Sequence, residues 1–141
     1  MKGLNTLIKL QKRKLDALRR TLASLESQKS QLQQAILVLQ KELEEEIILA
    51  AKQVEMAHFF GDFSKRIKNR QLELTQEIRK IDKQITALRD EITEAYGEQK
   101  KYEIAKENAL QRQRQEATRK ETIELDEIAA QQFQRKQQEE T

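Results

Sequence analysis

Apolar residues recur along this chain at alternating spacings of three and four, in two long runs. The first run places Leu4, Ile8, Leu15, Leu18, Leu22, Leu25, Leu32, Ile36, Leu39 and Leu43 on one helical stripe. The second places Phe60, Ile67, Leu74, Ile78, Ile81, Ile85, Leu88 and Ile92 on another. A repeat averaging 3.5 residues describes a narrow seam, and such a seam is stable only when buried against another helix. Gln11 and Lys29 are polar exceptions within the first seam. Polar residues there cost stability and can fix register. After Leu43 the pattern weakens to Ile47, Ala50, Val54 and Ala57 and slips by one position, which predicts a local change of supercoil.

Between the runs lies His58-Phe59-Phe60-Gly61-Asp62-Phe63-Ser64. Gly61 can adopt the left-handed conformation that ends a helix, and Asp62 or Ser64 can cap the next one. The reading is all-α: a long antiparallel two-helix coiled-coil hairpin forming one domain over residues 1–141. Helix one is expected over about 5–59, starting at Asn5 or Thr6. The turn is expected over about 60–63, near Gly61, and helix two over about 64–138. Folding at Gly61 sets residue i opposite residue 122 minus i, so that Leu32 meets Leu88 and Ile92. In that register the apolar surface from Leu4 to Leu22 is under-covered. Helix two also outruns helix one as a C-terminal helical overhang of some twenty residues. The overhang carries Leu125, Ile128, Ala129 and Phe133 at three- and four-residue spacing, on one face of a helix.

Composition sharpens this picture. The chain has 141 residues, with no proline, 36% charged residues and only 4% aromatics. That is the balance of long exposed helices rather than of an enclosed core. No cysteine is present, which excludes disulfides and thiolate metal sites. No apolar stretch approaches the roughly 18 residues of a membrane span, and Lys9, Gln11 and Lys12 interrupt the N-terminal apolar residues. A cytoplasmic protein without direct membrane insertion is expected. The net charge is only +3, but it is unevenly spread. Lys2, Lys9, Lys12, Arg13, Lys14, Arg19 and Arg20 crowd the start against Asp16 alone. Lys65, Arg66, Lys68 and Arg70 form a second basic cluster, and acidic residues gather over 42–46. These charges read either as solvated helix faces or, at the N-terminus, as a surface for an acidic partner.

Little in the sequence supports catalysis. His58 is the single histidine, and Gly3, Gly61 and Gly97 are too far apart for a phosphate loop. No histidine pair stands at metal-ligand spacing. A two-helix fold also offers no enclosed pocket for a perturbed carboxylate. A non-enzyme with no cofactor is expected. A basic stretch leading into leucine repeats suggests a DNA-reading zipper, but Leu10, Leu15 and Leu18 run through the basic residues. No nucleic-acid partner is expected.

Two segments carry a family resemblance. The opening MKGLNTLIKLQKRKLDALRRTLASLE and the ending ETIELDEIAAQQFQRK resemble those of FliJ-type proteins, the flagellar members of the stalk-like subunits of type III export systems. In the ending, Leu125, Asp126 and Glu127 precede the apolar pair Ile128 and Ala129. Phe133, Arg135 and Lys136 follow, while Gln131 and Gln132 stand where family endings are arginine-rich. The resemblance implies a non-catalytic stalk-like subunit at the inner face of the membrane export apparatus. Its partners would be a hexameric flagellar export ATPase, a membrane export gate protein and export chaperones. It implies an ATPase-ring contact through Leu125, Ile128, Ala129, Phe133, Arg135 and Lys136, with Lys12, Arg13, Arg19 and Arg20 contributing. Phe59, Phe60 and Phe63 would form a gate contact. The alternative functional reading is a cytoplasmic coiled-coil scaffold or holdase chaperone, and the third is a nucleic-acid-binding coiled-coil arm.

Overall fold

The computed structural model describes residues 2–140, the side chain of residue 56 excepted. Two helices account for nearly all of it: α1, Lys2–Lys52, and α2, Val54–Glu140. They pack against each other as an antiparallel hairpin. Every apolar position of the two seams is buried or half-buried, from Leu4 to Leu43 in α1 and from Phe60 to Ile92 in α2. Ile8, Leu15, Leu43, Ile67, Leu74, Ile85, Leu88 and Ala95 form the buried core. Burying each leucine or isoleucine contributes roughly 1.5–3 kcal/mol, so the seam holds the hairpin together. The chain divides into two compact units. One comprises the N-terminal stretch through Lys12 and the chain from Gly97 onward, the other Arg13–Tyr96.

In the unit Arg13–Tyr96, polar pairs across the helices define the register. Lys29 meets Asp82 at 2.7 Å and Arg89 meets Glu26 at 3.3 Å. The Gln71 side-chain amide donates to the Ile36 carbonyl at 3.3 Å and to Gln40 Oε1 at 3.2 Å. The midpoints of these pairs fall between positions 53 and 58. Residue i therefore lies opposite about residue 111 minus i. Exposed ion pairs contribute about 0–1 kcal/mol each. They add little to stability, yet in this register Lys29, one of the two polar exceptions in the first seam, is paired with a carboxylate.

The turn differs from the sequence expectation. Gln53 is the one residue between the helices, and residues 60–63 lie inside α2. Among the described residues no glycine has positive φ, so Gly61 does not terminate a helix. A helix accommodates glycine at about 1 kcal/mol, and here the flanking aromatics Phe60 and Phe63 are half-buried on the seam side. Seam strength, not glycine, marks the break. Beyond Leu43 the half-buried positions of α1 are Glu46 and Ala50, while Ile47 and Val54 are 49% and 88% exposed. The stripe thus does not slip to follow Ile47 and Val54. It keeps its phase and runs out of apolar residues, and the helix ends. The backbone loses little there, because the Gln53 amide still donates to the Leu49 carbonyl at 3.1 Å.

Helix one also begins earlier than expected. The Thr6 hydroxyl donates back to the Lys2 carbonyl at 3.0 Å, a contact made inside a helix rather than at its cap. Thr21, Thr75, Thr86, Thr93, Thr118 and Thr122 do the same four residues back. Threonine therefore marks no boundary in this chain. Coverage of the N-terminal leucines is better than the register about Gly61 predicts. Leu15 is 4% exposed in its unit, and in the other unit Ile8 is buried while Leu7 and Leu10 are exposed. In that same unit Gln11 is half-buried in the stripe, and its Oε1 has no hydrogen-bond partner; the same is true of Gln99 Oε1.

Two measurements check the turn and the register. A Cβ added at Gly61 meets nothing within 4 Å, so Gly61→Ala is expected to stabilise the protein by about 0.5–1 kcal/mol. Loss of stability in thermal unfolding would put Gly61 back at the turn. Cysteines replacing Lys29 and Asp82 are expected to be bridged within one chain by a short bis-maleimide. Cysteines at Leu32 and Leu88 are not, being offset by roughly 13 Å along the helix axis at 1.5 Å per residue.

Candidate interaction surfaces

The unit containing the chain from Gly97 onward is a short two-helix segment that becomes a single helix. Tyr102, Ala105, Ala109 and Leu110 are half-buried. From Gln111 to Glu140 every residue is exposed, so α2 continues for 30 residues without cover. The overhang is thus longer than the twenty residues expected, because the register shift carries the N-terminus of α1 only to about position 109. Such an isolated helix lacks tertiary support. Its described residues gain an ion pair between Arg119 and Glu116 at 3.6 Å and the hydroxyl bonds of Thr118 and Thr122.

The expected ring-contact residues of the overhang are presented to solvent. Leu125, Ile128 and Phe133 are 66%, 52% and 62% exposed. Ala129, Arg135 and Lys136 are exposed as well. At 100° per residue, Leu125, Ile128, Ala129 and Lys136 fall within one third of the helix circumference, with Phe133 and Arg135 on opposite flanks. The overhang therefore offers one apolar stripe with a cationic end. An exposed stripe of this kind gains nothing from water.

The basic residues are not part of that stripe. Lys12 shares the unit and acts on Glu103: the Gln99 amide, donating at 3.0 Å, holds the Glu103 carboxyl below its ordinary value. Partial desolvation opposes this, while the charges of Lys100 and Lys12 reinforce it. Position 103 lies roughly 33 Å along α2 from Leu125 at 1.5 Å per residue. Arg13, Arg19 and Arg20 belong to the other unit and are exposed there.

The aromatic cluster divides into two kinds. Phe59 is 73% exposed. Phe60 and Phe63 are half-buried. Phe63 lines an open groove with Leu39, Glu42, Arg66, Ile67 and Arg70. The groove sets Glu42 of α1 beside Arg66 and Arg70 of α2. The expected gate contact treated the three phenylalanines alike, although Phe60 alone was placed in the seam. The heptad phase separates them: Phe60 stands one heptad before Ile67, Phe63 lies three residues after Phe60 and four before Ile67, and Phe59 is out of phase.

Sequence reasoning also missed a second exposed apolar surface near the end of α1. Leu37, Val38, Ile48 and Leu49 are 40–61% exposed. Their signal was available as pairs of adjacent apolar residues, of which a single seam can bury only one.

Among the described residues no group of three or more His, Cys, Asp or Glu is placed to hold a metal ion, and no helix is long and apolar enough to cross a membrane. No curated protein and no solved structure gives a match to the chain. The family model described as flagellar FliJ protein matches residues 1–138, nearly the full length and including the overhang. The chain belongs to the FliJ family of flagellar, export-related proteins.

Proposed function

We propose that this protein is a non-enzymatic, stalk-like subunit of the flagellar export apparatus. It works at the cytoplasmic face of the membrane, where its C-terminal overhang engages the hexameric export ATPase. The observation that carries this reading is the 30-residue uncovered helix with its apolar stripe of Leu125, Ile128, Ala129 and Phe133. A single helix is narrow, about 10–12 Å across with its side chains, and it suits the axial opening of a ring. Arg135 and Lys136 supply positive charge at the stripe's end. Lys12, Arg13, Arg19 and Arg20 form a separate basic surface for acidic groups of the same ring or of export chaperones. The opposite role, contact with the export gate, falls to the aromatic cluster, in which Phe59 makes the contact while Phe60 and Phe63 support it.

Deleting residues 124–141 tests the ring contact. The unit Arg13–Tyr96 keeps its seam and its cross-helix pairs, so its thermal transition is expected to persist. Stimulation of ATP hydrolysis and of ring assembly by the truncated protein is expected to vanish. Full stimulation would make the overhang a solvated tail and move the ring contact elsewhere.

The gate contact has its own test. Phe59→Ser is expected to leave stability within about 0.5 kcal/mol of the parent, as for other exposed substitutions, and to weaken gate binding in calorimetry. Phe63→Ser is expected to cost about 1–2 kcal/mol of stability, because half of a phenyl group leaves the groove. Unchanged gate affinity in the Phe59 variant would remove the aromatic cluster from the interface.

A further inference from the structure

The side of α1 turned away from the hairpin seam carries an ordered pattern. Leu37 and Val38 are 61% and 55% exposed, and Ile48 and Leu49 are 57% and 40% exposed. Eleven residues make almost three whole turns of an α-helix. Leu37 therefore lines up with Ile48, and Val38 with Leu49. Leu37 stands 200° around the helix from the seam residue Leu39, so this face cannot also pack on α2. Lys41 and Glu45 lie between the two apolar pairs on the same side, and both are exposed. Among the described residues neither takes part in an ion pair.

Read from its N-terminal end, the face is apolar pair, base, acid, apolar pair. Rotated end over end about Leu43, it matches itself: Leu37 falls on Leu49, Val38 on Ile48, and Lys41 on Glu45. A two-fold symmetric contact requires this self-complementarity, since each residue must meet its counterpart from the same surface. We propose that this face of α1 is an antiparallel contact between two copies of the chain, with two apolar clusters flanking a reciprocal pair of Lys41–Glu45 bridges. An unrelated amphipathic helix could use the apolar pairs, but nothing would require the reversed order of charges. Four apolar side chains per copy fall short of the roughly 800 Å² per partner of a standard stable interface. The contact is therefore a weak one that forms at high local concentration. It stands apart from the export reading, because it involves neither the overhang nor the phenylalanines.

Sedimentation velocity of the full-length protein over a concentration series tests it. The parent chain is expected to show a reversible monomer–dimer equilibrium. K41E alone or E45K alone sets like charges together twice per dimer and is expected to weaken dimerisation by about fivefold or more. The double variant K41E/E45K restores the opposite charges and is expected to recover the parent affinity. Circular dichroism of each variant monitors helicity. A chain that stays monomeric throughout overturns the proposal. So does a double variant no better than the worse single one, because that would make the face a generic apolar patch for another protein.

Discussion

Everything in this protein depends on one stripe of leucine and isoleucine pairing with another across two helices. A two-helix hairpin encloses no volume, so each helix can bury only the third of its surface that faces its partner. The remaining two thirds stay in water whatever their chemistry. The stripe therefore does all the stabilising, and any apolar residue off the stripe is left exposed. That constraint explains why Leu15 and Leu74 are nearly inaccessible while Leu37, Ile48 and Phe59 are not. It also explains where α1 stops. The helix ends where the stripe fades into Glu46 and Ala50, although good helix-forming residues continue past that point.

The membership of the stripe was legible in the sequence from Leu4 to Leu43 and from Phe60 to Ile92, though not past Leu43, and its register was not. Both follow from the same periodicity. The expected pairing and the observed one differ by about eleven residues, which is nearly three whole turns. A shift of that size returns the same set of residues to the interface and merely changes which leucine meets which. Apolar pattern matching cannot distinguish two such registers. Charged and amide side chains can, because Lys29 needs Asp82 and Gln71 needs Gln40 within hydrogen-bond reach. Gly61 drew the turn to itself in the sequence reading because glycine breaks helices on average. Its cost of about 1 kcal/mol is smaller than the burial of the neighbouring Phe60 and Phe63 on the stripe, and the stripe prevails.

Register then fixes the length of the overhang through simple geometry. α1 has 51 residues and α2 has 87. With the reversal near Gln53, the surplus length falls entirely at the C-terminal end of α2. Moving the turn back to Gly61 would shorten the overhang and leave more of the N-terminal leucines uncovered. The observed register does the opposite, covering Leu15 and Ile8 and releasing residues 111–140. The apolar stripe of the overhang was legible as a pattern. Its complete exposure was not, because exposure depends on where the partner helix ends.

The proposed contacts all use what the seam leaves over. The overhang stripe lies beyond the reach of α1, Phe59 lies out of phase with the α2 stripe, and the Leu37–Leu49 face lies on the far side of α1. Three separate surplus surfaces on one hairpin allow three partners to bind without competing for the same residues. They also remain exposed for a common reason: covering any of them internally would need a third helix. A third helix would enclose a core and raise stability, but it would bury the surfaces proposed for partners. The thin seam is thus the fold's weakness in stability and the condition of its availability to partners.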